Sequence, residues 1–168
     1  EDLLTRQKPS HIAVVFDPPG PTFRNEMYPA YKANRDATPE DIRIAVPYIK
    51  RLLEAYRIPV IEVPGFEADD VIGTLARKAA EQGYRAYMMT PDKDFAQLVT
   101  DMVAMYRPGR SGGEAEIWGK EEIVREYGVP PEHITDLLGL MGDTSDNIPG
   151  APGIGPKTAR KLISEHGS

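Results

Sequence analysis

Two hydrophobic periods alternate along the first hundred residues. His11–Phe16 is a short, apolar, β-branched run that reads as a buried strand. It closes at Asp17, ahead of the turn-rich Pro18–Pro21. Ile42, Ala45, Ile49, Leu52, Leu53 and Tyr56 then recur at helical spacing. Thr38-Pro39-Glu40-Asp41 supplies that helix with a Thr cap, Pro at the first helical position and an early acid. Pro47 is expected to kink the helix or mark a second start. Pro59–Val63 reads as a strand, Glu67–Gln82 as an amphipathic helix stopped by Gly83, and Tyr84–Thr90 as another strand.

Beyond residue 90 the elements shorten. Asp92–Val99 reads as a short helix, and Met102–Tyr106 with Glu114–Trp118 as a hairpin around PGRSGG. Two short helices follow at about 120–127 and 131–141, separated by Pro130-Pro131. A Gly-rich loop, NIPGAPGIGP, leads into a basic helix at Lys157–Glu165. Only residues 22–38 show no clean period; polar, aromatic and basic, they look like an excursion from the core. Strand and helix in alternation predict an α/β fold with a mostly parallel sheet flanked by helices. In such sheets the ligand site lies beyond the carboxyl ends of the strands.

That expectation gives meaning to four acidic clusters. They are Asp17; Glu67, Asp69 and Asp70 in FEADD; Asp92 and Asp94 in PDKD; and Asp143 and Asp146 in GDTSDN. The first three come at, or a few residues after, the end of a predicted strand, so the fold is expected to bring them together. Each cluster has a plain structural alternative, as a turn former, helix cap or Asx-rich loop. Four together are harder to explain in that way. Like charges at close range need cations, and hard oxygen ligands select Mg2+ or Mn2+. A pair of such metals suits phosphodiester hydrolysis.

Negative charge also develops on the phosphate, and the chain offers basic groups for it. Lys32 and Arg35 lie within one helical turn in YKANR, with Arg24 upstream and Tyr28 and Tyr31 as possible stacking surfaces. In PGAPGIGPKTARKL, Gly150, Gly153 and Gly155 are expected to free the backbone to expose N–H groups at a helix start. Thr158 lies in that start, and Lys157, Arg160 and Lys161 are available to a phosphate backbone. No strand precedes these glycines, so they do not form a dinucleotide-binding fingerprint.

Composition adjusts this picture little. The 168 residues carry a formal net charge of -6, which alone argues against nucleic acid. Setting those eight acids apart from the 26 leaves the remainder, with its 20 basic residues, close to neutral. The chain has no cysteine, which excludes disulfides and thiolate metal sites. No apolar run approaches the roughly 20 residues that span a bilayer, so no membrane partner is expected.

The succession VVFD, GPTFRNEMYPAYKANR, GFEADDVIGTLA, TPDKDFAQLV, GLMGDTSDNIPGAPGIGPKTARKL resembles the 5′-nuclease (5′–3′ exonuclease or flap endonuclease) domain of bacterial DNA polymerase I. The resemblance runs from about residue 11 to the last residue. It implies a PIN-like nuclease core over 1–128, with an arch or clamp at about 22–38, and a helix–hairpin–helix region over 129–168. By the resemblance, Asp17, Glu67, Asp69, Asp70, Asp92, Asp94, Asp143 and Asp146 are metal-site acids, and Lys32 and Arg35 contact the scissile phosphate. Arg24, Tyr31, Gly153, Gly155, Lys157, Thr158, Arg160 and Lys161 are then candidates for DNA contact, with a possible K+ ion on hairpin carbonyls.

The partners implied are DNA with a 5′ flap, nick or gap, RNA-primed DNA, and a polymerase domain of the same parent chain. The implied setting is the bacterial cytoplasm and nucleoid, in replication and repair. Family members open with a strand bearing a further ligand Asp, and this chain starts after it and stops inside the DNA-gripping region. It therefore reads as a fragment, with an open sheet edge, exposed apolar faces and weak or absent activity expected. A PIN-type ribonuclease would share the acids but has no need of the Gly150–Lys161 hairpin. A DNA-binding module without catalysis is the other alternative.

Overall fold

The computed structural model describes residues 2–109 and 115–167. It forms two compact units, Glu1–Met27 with Asp36–Val71, and Tyr28–Arg35 with Ile72–Ser168.

The first unit holds α1 (Asp2–Arg6), β1 (Val14–Val15), α2 (Phe23–Met27), α3 (Glu40–Ala55) and β2 (Val60–Ile61). The β1 and β2 strands pair in parallel, Val14 opposite Val60 and Val15 opposite Ile61, and each is shorter than its apolar run suggests. The α3 helix runs unbroken through Pro47, with no second start. It begins one residue later than expected, so Pro39 and not Thr38 stands at the cap, its carbonyl accepting from the N–H groups of Ile42 and Arg43. No residue of α3 is buried; Ile42, Tyr48 and Leu52 are 53, 66 and 58% exposed. The α3 helix rests on β2, with Ala45, Val46 and Leu53 half-buried, while most of its apolar face stays exposed. Phe23–Met27 is helical although its sequence shows no period: Asn25 Oδ1 accepts from the Thr22 N–H at 2.9 Å and ties its first turn.

The α4 helix (Ala68–Glu81) carries the boundary between the units, and Gly83, at φ 85, follows its end. The second unit then contains β3 (Ala86–Met89), a 3-10 helix at Lys93–Leu98, β4 (Val103–Arg107), β5 (Glu116–Trp118) and α5 (Lys120–Tyr127). A 3-10 turn at Pro131–His133 leads into α6 (Ile134–Met141), β6 (Gly142–Asp143), β7 (Ile148–Pro149) and α7 (Pro156–His166). The β3 and β4 strands are parallel and β5 joins β4 antiparallel, which gives the predicted hairpin. Its tip, residues 110–114, lies outside the described residues. The fold is α/β with parallel central pairs, but the ladders among the described residues are three separate sheets and not one.

The core belongs to the second unit. Met105, Ile123, Ile134 and Leu137 are its largest fully buried side chains, each contributing about 1.5–3 kcal/mol by removal from water. Ala159 and Ile163 of α7 are buried against the same cluster. The opposite face of α7, with Lys157, Arg160 and Lys161 at i, i+3 and i+4, is thereby left exposed.

A short antiparallel ladder inside the Gly-rich segment escaped the hydrophobic pattern. It pairs Gly142 with Pro149 and Asp143 with Ile148, closing the loop 144–147. The two chains approach so closely that a Cβ on Gly142 would lie 2.3 Å from the Gly150 nitrogen, and one on Gly150 2.3 Å from the Met141 carbonyl carbon. Gly150 thus serves the close approach of the two chains. Gly155 has extended backbone open to any residue, and only Gly153, at φ 78, uses the left-handed freedom expected of the three. Gly142→Ala is expected to destabilise the chain by about 2–4 kcal/mol. Gly139→Ala, inside α6 with nothing within 4 Å of the added methyl, should be neutral or stabilising. Urea unfolding compares the two, and a Gly142→Ala chain as stable as the parent contradicts this packing.

Candidate metal and phosphate site

The eight acids fall into two sets of four, one in each unit, and each set is built by a different local device. In the first unit, Phe16 donates its N–H to Ile61 O at 3.0 Å, so Asp17 emerges directly beyond the parallel pair. Asp17 Oδ1 accepts from the Ala68 N–H at 2.7 Å, and Asp70 Oδ2 accepts from the Glu67 N–H at 3.0 Å. Both acids therefore satisfy N–H groups at the start of α4, which have no intrahelical partner. Arg24 meets Asp70 in a two-pronged contact, 2.7 Å on each oxygen, and stands 3.8 Å from Glu67 Oε2. Glu67 is 9% exposed, and a guanidinium is the cation best shaped for such a paired carboxylate. Asp69 lies beside Asp70 in the first turn of α4.

In the second unit, Asp92 caps the 3-10 helix by accepting from the Asp94 N–H at 3.0 Å. Asp94 is half-buried, and its Oδ1 is shut off from solvent with no hydrogen-bond partner. Burial pushes its carboxyl up to about 6, and the charges of Asp92, Asp143 and Asp146 push the same way against Lys93. Lys93 Nζ lies 2.8 Å from Asp143 Oδ2, a hydrogen bond that holds the ammonium above its usual value. Burial works to raise Asp143, but the Lys93 hydrogen bond and charge, with backbone N–H donors, leave it below the usual carboxylate range. Asp146 accepts from Arg35 Nη2 at 2.6 Å and from the Tyr31 hydroxyl at 3.1 Å.

The predicted phosphate contacts are therefore already engaged. Arg35 is bound to Asp146, and Lys32 Nζ sits 4.8 Å from the centre of the Tyr31 ring. Tyr31 is 7% exposed, so it has no open ring face for a base; it is a buried hydroxyl donor and not a stacking surface. Arg24 was expected at DNA and stands instead on Asp70, across 46 residues of sequence that carry no signal of the contact. Gly153 and Gly155, just before α7, and Lys157, Thr158, Arg160 and Lys161 on it are all exposed. Arg160 also donates to Glu126 O at 3.3 Å, and Lys161 pairs loosely with Glu165 at 3.7 Å. Two residues that residue type alone does not mark also take part: Lys93, between the acids of PDKD, on Asp143, and Asn147, which ends GDTSDN, on Ala30 O.

By chemistry both sets suit a hard divalent cation, since all donors are carboxylates and one buried Asp94 oxygen has no hydrogen-bond donor. As arranged, no three His, Asp or Glu side chains among the described residues form a closed metal-binding group. Arg24, Lys93 and Arg35 do the neutralising here. Asp94→Asn should therefore raise the midpoint of thermal unfolding in EDTA, by about 2–4 °C for each kcal/mol of repulsion relieved. It should also reduce the further rise that Mn2+ produces. A midpoint that falls in EDTA contradicts this account of the group.

The chain is similar to known proteins along its whole length. Residues 1–128 match the family described as 5′-3′ exonuclease, N-terminal resolvase-like domain, and residues 129–168 match 5′-3′ exonuclease, C-terminal SAM fold. The chain is 40% identical to a 5′-3′ exonuclease of Aquifex aeolicus, over 99% of this chain and 56% of that protein. It is 44% identical to DNA polymerase I of Bacillus subtilis, over 99% of this chain and 19% of the polymerase. It spans about half the length of the first relative and under a fifth of the second. Among solved structures, the T5 5′-exonuclease with bound zinc superimposes with a TM-score of 0.80 at 25% identity, covering 99% of this chain and 64% of that one. The chain belongs to the 5′-3′ exonuclease family.

Proposed function

We propose that this chain is the metal-dependent nuclease part of a DNA polymerase I, hydrolysing phosphodiester bonds near the 5′ end of DNA. The observation that carries the reading is the buried, unpartnered Asp94 oxygen among Asp92, Asp143 and Asp146. A neutral buried site would not gather four acids, whereas a site that takes up cations gains from them. Membership of the family and the zinc held by the T5 5′-exonuclease support the same reading.

Asp17, Glu67, Asp69 and Asp70 in one set, and Asp92, Asp94, Asp143 and Asp146 in the other, are the proposed ligands of Mg2+ or Mn2+. Such ions, when bound, lower the pKa of a water and stabilise the attacking and leaving oxygens. The chain's own part is to hold, orient and neutralise. Lys32 and Arg35 orient the scissile phosphate and oppose the charge that builds on its free oxygens. Arg35 leaves its Asp146 contact to do so. The exposed basic face of α7, with the N–H groups at its start, takes duplex phosphates without reading bases. A K+ ion on the carbonyls of residues 150–155 would add to that grip. The substrates proposed are 5′-flap, nicked or gapped DNA and RNA-primed DNA, as primer removal and repair by a polymerase would require.

Single-turnover cleavage of a 5′-flap duplex tests the reading, with Mg2+ or Mn2+ against EDTA. Asp69→Asn with Asp70→Asn should slow cleavage by about a hundredfold or more while DNA retention persists. Cleavage in EDTA, an unaffected double variant or a preference for single-stranded RNA contradicts it. Lys157→Ala with Lys161→Ala should weaken binding equally across sequences and lower the slope of affinity against salt by about two. An unchanged slope removes α7 from the interface.

A further inference from the structure

The segment Tyr28–Arg35 and the loop 144–147 belong to the same unit and are laced together by more bonds than the Arg35–Asp146 pair. Asn147 Nδ2 donates to Ala30 O at 2.7 Å, and the Tyr28 hydroxyl donates to Asn147 O at 3.2 Å. Asn34 Nδ2 donates to Thr144 O at 2.7 Å, and Arg35 Nε to Ser145 O at 3.1 Å. The Lys32 N–H donates to Asp146 O at 3.0 Å. Lys32 itself sits at φ 55, a left-handed conformation that a residue with a long side chain adopts only when its surroundings hold it there.

We infer that Asn147 is a positioning residue, which latches the Lys32–Arg35 turn to the loop bearing Asp143 and Asp146. Two properties single it out. Its φ of 58 closes the loop in a conformation that Asn tolerates better than most residues. Its half-buried amide then supplies the donor that no other residue of the loop directs at Ala30 O. The loop does not need the latch for its own shape, since the ladder of β6 and β7 closes it. The consequence is that Lys32 and Arg35 and the two acids of this loop, Asp143 and Asp146, move as one body. This role rests on the nuclease reading above, because without a phosphate there is nothing for the turn to be positioned against.

Asn147→Gly keeps the left-handed backbone and removes the donor. Asn147→Asp keeps the backbone tolerance and turns an acceptor toward Ala30 O. Amide hydrogen exchange on the 168-residue chain reads the latch without any activity. In both variants the Lys32 amide should exchange about tenfold faster or more, while the amides of β3 and β4 keep their protection. Single-turnover cleavage of a 5′-flap duplex should slow by about tenfold or more, with the dependence on DNA concentration and the Mn2+ affinity unchanged. Unaltered Lys32 exchange overturns the inference, as does loss of protection throughout the core, or faster exchange with unaltered cleavage. If the parent chain cleaves no DNA, the nuclease reading falls, while the exchange pattern still decides whether the latch exists.

Discussion

The repulsion among carboxylates governs this molecule. Asp92, Asp143 and Asp146 all act on Asp94, whose inner oxygen has no partner. Charges placed in this way are tolerated only beside cations. The chain provides them as Lys93 on Asp143, Arg35 on Asp146 and Arg24 on Asp70. Each of these contacts binds segments far apart in sequence, so neutralising the acids also holds parts of the fold. On the proposed function, a divalent cation entering either set would compete with a side chain that already does its work, and the exchange would free a basic group. The proposal thereby links metal uptake and phosphate binding through the same carboxylates.

The scaffold suits that exchange. The well-packed part of the second unit stands on Met105, Ile123, Ile134 and Leu137, none of which touches the charge problem. Acids are mounted at its margins, on a 3-10 helix start and on a loop closed by a two-residue ladder. The glycine contact between residues 142 and 150 makes that ladder possible, because any side chain there would push its two strands apart. In the first unit the acids instead serve the start of α4, where exposed N–H groups welcome negative charge. The oxygens proposed as metal ligands thus already serve as structural caps.

Much of this was legible from residue types. The alternation of strand and helix, the hairpin at Val103–Arg107 and Glu116–Trp118, and the helix at Pro156–His166 follow from period and turn chemistry. The acids announced themselves by clustering. What pattern does not record is which cation meets which acid, because Arg24 and Asp70 are 46 residues apart, and Arg35 and Asp146 are 111 apart. For the same reason Tyr31 reads as an exposed ring in an aperiodic segment, when burial on Asp146 makes it a hydrogen-bond donor. The apolar face of α3 shows the converse case, since its period is plain while most of it stays exposed beside β2.

The central claim is that these carboxylates are assembled to exchange side-chain cations for divalent metal. Calorimetric titration of the chain with Mn2+, beside an Asp143→Asn, Asp146→Asn double variant, tests it most directly. The account predicts saturable binding in the parent chain and a loss of binding sites in the double variant. Heats that never saturate in the parent, or an isotherm that the double substitution leaves unchanged, would contradict it.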